Sequence, residues 1–305
     1  MCGEENLTYV LGVDIGGTKV AAAIINESGK MIAKSEVPSD ATDKEKMFLQ
    51  VVKSIEEVLA TAKLSISEMV GVGVGVAGKV DHVNGIAVYQ NNLPWGNFPL
   101  AERLRDYFSI ENVVVDNDVT MAAFAEWRAA GVTDEETFVY LTVSTGISCA
   151  TIHKGSYIRG GGFSGELGLF PVMKARSAGV LERLEQVSSG PAIQKAANVT
   201  PEEFFKNYLN DNQESKGILE DVVAALAHGI YAIICLIDPH KIVIGGGVFN
   251  HQPYLLNLVK EALANHLIPE QMDALNRLQL SQLQGDSGVV GAGVVGTSNC
   301  LLLES

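Results

Sequence analysis

Residues 11–20 read LGVDIGGTKV. An apolar run ends on one carboxylate, Asp14. Gly16, Gly17, Thr18 and Lys19 then form a turn, and a second apolar run extends from Val20 to Ile25. Runs of this length bounded by turn residues predict two strands, Tyr9–Asp14 and Val20–Asn26. Glycines in the turn let backbone N–H groups face an anion, and Thr18 adds a hydroxyl donor. Lys19 either turns inward as a further positive charge or stays in solvent. A carboxylate beside a phosphate is repulsive unless a divalent cation stands between them, and hard cations take oxygen ligands while keeping several waters. Asp14 therefore points to magnesium, held directly or through water. The turn reads as a site for Mg–nucleotide phosphate.

The same plan recurs at VYLTVSTGISCATIHKGSYIRGG, starting at Val139, with Ser144, Thr145 and Gly146 in the turn. Gly/Thr turns are common hairpin chemistry, so the repetition carries more than either turn alone. It predicts a duplicated fold with a ligand in the cleft between the halves. Further strands are expected at Lys30–Val37, Val70–Val76, Asn112–Val115, Thr137–Val143, Ser148–His153 and Lys241–Ile244. Helices are expected at Asp43–Lys63, Val119–Ala130, Gly217–Ile237 and Pro253–His266, with a glycine-interrupted one at Ser287–Leu302. Strands alternating with helices mean an α/β chain.

The bulk properties narrow the function. The 305 residues are 47% hydrophobic and 19% charged, a globular composition with room for a large core. The net charge of −14 excludes non-specific binding to nucleic acid or to an anionic membrane surface, since both need a basic face. No uninterrupted run of about 18 apolar residues is present, and MCGEENLTYV lacks a basic segment followed by an apolar one. A cytoplasmic protein with no membrane and no nucleic-acid partner is expected. Cys2, Cys149, Cys235 and Cys300 form no C-x-x-C pair and the six histidines form no H-E-x-x-H, so no metal cage of side chains is written locally.

Two familiar patterns fail on context. Gly73, Gly75 and Gly78 fit G-x-G-x-x-G, and Gly73, Gly78 and Lys79 fit most of a P-loop, but Val80 stands where a P-loop needs Ser or Thr. Both motifs require a strand that feeds a helix, whereas VDHVNG after Lys79 is rich in turn residues. The alternating Gly71, Gly73 and Gly75 read instead as a strand packed closely on another element.

The densest chemistry lies in VVVDNDVTMAAFAEW. A strand ends at Asp116, and Asn117 and Asp118 lead into a helix at Val119. Asp118 stands where an N-cap would. A carboxylate at the carboxyl end of a strand in an α/β protein also points into the ligand crevice. In phosphoryl transfer to an alcohol, such a carboxylate accepts the hydroxyl proton. Asn117 beside it suits a polyol, being both donor and acceptor.

With these residues in hand, the chain resembles the ROK family (repressor, open reading frame, kinase). The matching stretches, in family order, are LGVDIGGTK, GVGVGVAGKVD, NNLPWGNFPL, DNDVTMAAFAEW, YLTVSTGI, GELG, VLERLEQVSSG, IVIGGGVF and GDSGVVGAG. The resemblance implies a two-lobed actin-like ATPase (ribonuclease H-like) α/β fold with an inter-domain active-site cleft. The lobes would be 1–118 plus 288–305, and 119–287. It implies an ATP-dependent hexose kinase using Mg2+, acting on a glucose-type sugar at O6. N-acetylmannosamine, fructose and β-glucosides are alternatives, and a homodimer is expected. Asp14, Gly16, Gly17, Thr18 and Lys19 would form the first phosphate turn and Ser144, Thr145 and Gly146 the second. Gly245, Gly246 and Gly247 would lie against adenosine. Asp118 would be the base, with Asn117, Gly78, Lys79, Asn91, Asn92, Glu166 and Glu182 around the sugar. A sugar-sensing regulator on the same fold is the competing reading. Such relatives carry a DNA-binding segment ahead of the first motif, where this chain has ten residues. A non-sugar ATPase or carboxylate kinase is a third reading, less suited to the polyol-binding residues.

The chain departs from the family at two places, one of them the second phosphate turn, STGIS where GTGIG is common, with Ser148 and Cys149 in place of small glycines and Thr145–Gly146 kept. Where relatives read GE-x-GH followed by C-G-C-G-x-x-G-C-L-E, a zinc site, Leu169 replaces the histidine and LFPVMKARSAGVLERL has no cysteine. The expectation is no structural zinc, with apolar packing around Leu169, Phe170 and Val172 in its place. The sugar hydroxyl that the histidine touches in relatives is left unassigned.

Overall fold

The computed structural model describes residues 8–26, 29–90, 92–161, 163–176 and 180–301. The chain divides into two compact units, Met1–Arg128 with Asp286–Ser305, and Ala129–Gly285.

In the first unit, β1 (Tyr9–Ile15), β2 (Lys19–Asn26) and β3 (Met31–Pro38) form an antiparallel meander. Helix α1 (Lys44–Ala62) follows, then β4 (Met69–Val76). A small three-stranded sheet comprises β5 (Lys79–Asp81), β6 (Ile86–Tyr89) and β7 (Gly96–Phe98). Helix α2 (Leu100–Phe108), β8 (Val113–Asn117) and α3 (Asp118–Ala129) complete the run. The main sheet has the order β3-β2-β1-β4-β8, with β4 parallel to both β1 and β8. Asp43 caps α1, its carboxylate accepting from the N–H groups of Glu45 and Lys46 at 2.8 and 3.1 Å. The apolar stripe Met47, Val51, Ile55 and Val58 of α1 packs on one sheet face with Leu11, Val13 and Ile15. Side chains alternate along a strand, so Gly12 and Gly73 face the other way, onto the C-terminal helix (Ser287–Leu301). A Cβ on either glycine would overlap that helix's backbone, at Val289 and Ala292 respectively. The central strands β1 and β4 are largely apolar because both of their faces are covered, whereas the edge strand β3 carries Lys34, Ser35 and Glu36.

The second unit repeats this plan. Its sheet contains β9 (Thr137–Val143), β10 (Ile147–His153) and β11 (Ser156–Tyr157). Between this meander and the rest lie the hairpin β12 (Pro171–Met173) and β13 (Leu181–Arg183) and the helices α4 (Leu184–Ser188), α5 (Gly190–Ala197), α6 (Pro201–Leu209) and α7 (Gln213–Ile237). Then come β14 (Lys241–Gly245), α8 (Gly247–His251), α9 (Leu255–Ala264) and β15 (Leu278–Leu280). The order β11-β10-β9-β14-β15 repeats that of the first sheet, with the first three strands antiparallel and β14 parallel to β9 and β15.

The structure alters four expectations. Helix α3 falls with the first unit, because Met121 packs against Gly75 of β4 and beneath Gly291 of the C-terminal helix. Asp118 is not the cap of α3. Asn117 is, its Oδ1 accepting from Val119 and Thr120 N–H at 2.9 and 3.3 Å. The third concerns α7, which is long and apolar enough by composition to cross a membrane, although Glu220 and Asp221 interrupt it. Its most apolar window is 67% buried within the protein, where Ile218, Val222, Leu226, Ile230 and Ile233 form the core of the second unit. The fourth is that β5–β7, α2, β12–β13, α5 and α6 join the expected elements.

The close approach of the C-terminal helix gives a prediction. Gly73→Val drives a branched side chain into the Ala292 backbone, and thermal or urea denaturation should show a loss of about 2–3 kcal/mol or more, as expected for overpacking. Gly96→Ala, where an added Cβ meets nothing within 4 Å, should change stability by less than about 0.5 kcal/mol.

Candidate functional site

In the first unit the candidate residues gather at the carboxyl ends of β1, β4 and β8, the edge where open α/β sheets place ligands. Asp14 pairs in register with Gly75 of β4, and the Asp118 backbone packs against that same glycine. The two carboxylates thus flank one residue that has no side chain to separate them. Burial first, and the charge of Asp118 second, push the Asp14 pKa up to about 7, while Lys19 and Lys34 pull it the other way. Gly288, in the first turn of the C-terminal helix, lacks the Cβ that would overlap the Asp14 carboxylate. One Asp118 oxygen accepts from Val119 N–H at 2.9 Å, at the start of α3.

The turn after β1 is braced from outside. Gly16 N–H donates to the Lys19 carbonyl at 3.0 Å, and Ser39 binds the turn twice, from its hydroxyl to the Gly16 carbonyl and from its N–H to the Thr18 carbonyl. Gly17 and Thr18 are left exposed. Lys19 pairs with Glu36 at 2.7 Å, and Lys34 bridges Glu36 and Asp286 at 2.7 and 2.6 Å. These pairs hold Glu36 below the usual carboxylate range. Lys19 is thus neither free in solvent nor aimed at the turn. Asn92 lies directly over Gly17, its loop held by Trp95, which stacks on Phe98 at 4.9 Å and donates to the Lys44 carbonyl. Asn91 lies outside the described residues.

Asn117 is committed to structure more than its sequence position suggests. While its Oδ1 caps α3, its Nδ2 donates to the Gly78 carbonyl at 3.0 Å. Gly78 has φ +92°, and a Cβ there would strike the Tyr89 carbonyl, so the turn demands glycine. Lys79 opens β5 with an exposed side chain.

In the second unit the turn after β9 and Gly247 after β14 line one open pocket of about 700 Å³. Ser144 and Thr145 enter from the turn, Gly247, Val248 and His251 from α8, Gly190, Pro191 and Gln194 from α5, and Pro201, Glu202 and Phe205 from α6. That volume falls in the range of small-molecule sites. The Ser144 carbonyl accepts from Gly190 N–H at 2.8 Å, coupling the turn to α5. Gly246 has φ +85° and no space for a Cβ beside Val143 and Thr142, which forces glycine there. Gly245 is different: it is the last residue of β14, buried against Tyr140 and Ser281 and away from the pocket.

Gly146 also faces elsewhere. Its nearest neighbour on the side-chain side is a Glu185 oxygen, 3.9 Å from where a Cβ would sit, and the same carboxylate lies over Gly168. Glu166 is held above its usual value by burial and then by the charge of Glu185. The acidic pair of this unit is therefore Glu166 with Glu185, which sequence reasoning missed. Glu182 is engaged instead by Lys174 at 2.6 Å. Four positions before Ser189–Gly190, Glu185 had a visible signal in its spacing to the SSG end of α4.

The segment expected to replace zinc by apolar packing does not do so. Leu169 and Phe170 are 43% and 37% exposed, and only Val172, at 2%, enters the core. Instead a buried carboxylate on α7, Asp221, binds the half-exposed Arg176 of the same segment.

A profile of the ROK family matches residues 10–297. A glucokinase from Halalkalibacterium halodurans is 27% identical over 93% of this chain and 94% of its own length. A ROK hexokinase structure from Thermus thermophilus superposes with TM-score 0.80 at 26% identity, covering 96% of this chain and 99% of that one. A ROK transcriptional regulator, a homologue of the Escherichia coli MLC protein, superposes with TM-score 0.82 at 19% identity over 97% of this chain and 80% of its own, a likeness of fold. With a match running almost end to end and the actin-like architecture repeated in both units, this chain belongs to the ROK family.

Proposed function

We propose that the protein is an ATP-dependent sugar kinase acting on a hexose hydroxyl, with a glucose-type sugar phosphorylated at O6. The observation that carries the reading is the pair of carboxylates flanking Gly75 beside an exposed Gly-Gly-Thr turn. Asp118 accepts the proton of the attacking hydroxyl from its place at the start of α3. Asn117 contributes mainly by fixing Asp118 and the Gly78 turn, with one amide hydrogen left for a sugar oxygen. The pocket of Ser144, Thr145 and Gly247 suits a nucleoside and its phosphates, offering hydroxyl donors and backbone that a ligand can approach closely. Glu166 and Glu185 are the hydroxyl-binding carboxylates of the second unit.

The donor chemistry at Asp14 fits a hard divalent cation. It is a half-buried carboxylate, beside a second one, whose charge is disfavoured without a counter-ion. Magnesium bound there would neutralise phosphate charge. Leu169 has no group to hydrogen-bond a hydroxyl, so N-acetylmannosamine, fructose and a β-glucoside belong on the same substrate panel as glucose.

The test is ADP release with Mg-ATP across that panel, for the wild type and Asp118→Asn. Turnover on one sugar should fall about 10²–10⁴-fold in the variant, with the sugar KM changed only a few-fold. Sugar binding by calorimetry without turnover in the wild type would overturn the kinase reading and assign a sensor.

Asp14 gives a pH prediction whose sign is fixed by its raised pKa. The unfolded chain releases this proton near pH 4 and the folded chain near pH 7, so the group's contribution to stability falls as pH rises through that window and is level above it. Asp14→Asn should match the wild type at pH 4 and exceed it at pH 8 by roughly 1–2 kcal/mol, allowing for solvent screening of a half-exposed group. Magnesium should raise the wild-type Tm at pH 8 but not that of the variant. A variant less stable at pH 8 would refute the assignment.

A further inference from the structure

The segment that follows GELG has to be tied to the rest of the second unit, and between residues 154 and 227 the sequence offers neither cysteine nor histidine to do so through a metal. We propose that the Arg176–Asp221 pair does this work by charge, and that Arg176 is a positioning residue for Glu185. The proposal rests on the kinase reading for its activity arm alone.

Arg176 lies in the connection between β12 and β13. Its backbone N–H donates to Asp221 Oδ1 at 3.0 Å, while Nε and Nη2 donate to Oδ2 at 3.0 and 2.8 Å. Asp221 is 6% exposed, and three charge-assisted donors satisfy a carboxylate that burial would otherwise penalise. Only a guanidinium reaches both the geometry and the charge, because a lysine presents a point charge rather than a fork.

The face of α7 is shaped to receive it. Gly217, Asp221, Ala225 and Gly229 recur every four residues and so share one side of the helix. A Cβ at Gly217 would overlap the Arg176 guanidinium, and one at Gly229 would lie 2.7 Å from Leu184 Cδ2. Leu184 opens α4, its N–H donating to the Phe170 carbonyl at 2.9 Å, and Ser188 at the other end donates to the Val222 carbonyl at 3.2 Å. Glu185 is carried on this short helix. The hairpin, α4 and its carboxylate are therefore fixed to α7 at Asp221, Val222 and Gly229, and the first of these is the one made by charge.

The experiment compares the wild type with Arg176→Ala, Arg176→Lys and the neutral double variant Arg176→Gln with Asp221→Asn, which leaves no unpaired buried charge and keeps the test valid should the alanine variant fail to fold. Amide exchange across residues 181–188 should quicken at least tenfold in Arg176→Ala and in the double variant, with Arg176→Lys between them and the wild type. The sugar KM should rise about tenfold while kcat and the ATP KM stay within twofold. Metal analysis should find less than 0.1 zinc per chain, and EDTA should leave the Tm unchanged. Unaltered exchange in both the alanine and double variants, or one zinc per chain whose removal quickens the same exchange, would overturn the proposal. If the wild type turns over no sugar, the kinase reading fails separately, and exchange and metal content still decide the role of Arg176.

Discussion

Like charges placed side by side set the terms for the first unit. Asp14 and Asp118 both lie against Gly75, and burial first, with the charge of Asp118 second, raises the pKa of Asp14. Repulsion of that kind survives only where the surrounding backbone cannot yield. Here the rigidity comes from three parallel strand ends, a capped helix and a C-terminal helix seated directly on β1 and β4 without intervening side chains. Lys19, Lys34, Glu36 and Asp286 surround the pair with a network of nearly balanced charge. It tempers the local potential without placing a cation on Asp14 itself. A raised pKa on a carboxylate at the carboxyl edge of the sheet is the kind of perturbation that clusters at functional sites.

Two sheets of the same strand order and sense have been put to different uses. In the first, the turn after β1 is braced by Ser39 and Asn92 and presents backbone; the parallel strand β8 then supplies a carboxylate at its end. In the second, the corresponding turn is tied to α5, and the strand that continues the sheet ends in glycines rather than acids. The inserted segment from β12 to α6 does the rest, building a pocket wall on one side and carrying Glu185 on the other. Duplication of a scaffold followed by divergence of its loops explains why the repeat is plain in the strands and obscure in the site residues.

How much could be read in advance follows from what fixes each feature. The strands around Asp14 and Ser144 were legible because apolar runs broken by Gly/Thr turns leave few alternatives, and the Gly73–Gly78 pattern was separable from a nucleotide fingerprint because no helix follows it. Three-residue strands such as β5, β7 and β12 carry too short a pattern to show a period. Position within a turn was harder still. Gly245 and Gly247 are two residues apart in one glycine run, yet one is buried under Tyr140 and the other lines the pocket. Asn117 rather than Asp118 caps α3, since either residue type serves as an N-cap and only backbone geometry decides. Glu182 and Glu185 differ by less than one helical turn, and the choice between them depended on where Lys174 sits, a long-range fact.

That last choice bears on how hydroxyl groups can be distinguished. Leu169 removes a hydrogen-bonding side chain from the segment beside Glu166, and the exposed Phe170 adds none. Under the proposed reading, recognition in this unit falls to Glu166 and Glu185, and an ionised carboxylate only accepts. Burial first, and the neighbouring Glu185 second, hold Glu166 above its usual value, so the two acids are electrostatically one site. On that reading, discrimination among hydroxyls depends on how firmly Glu185 is held in place. For that reason the anchoring of α4 belongs to the chemistry of the site as much as to the stability of the fold.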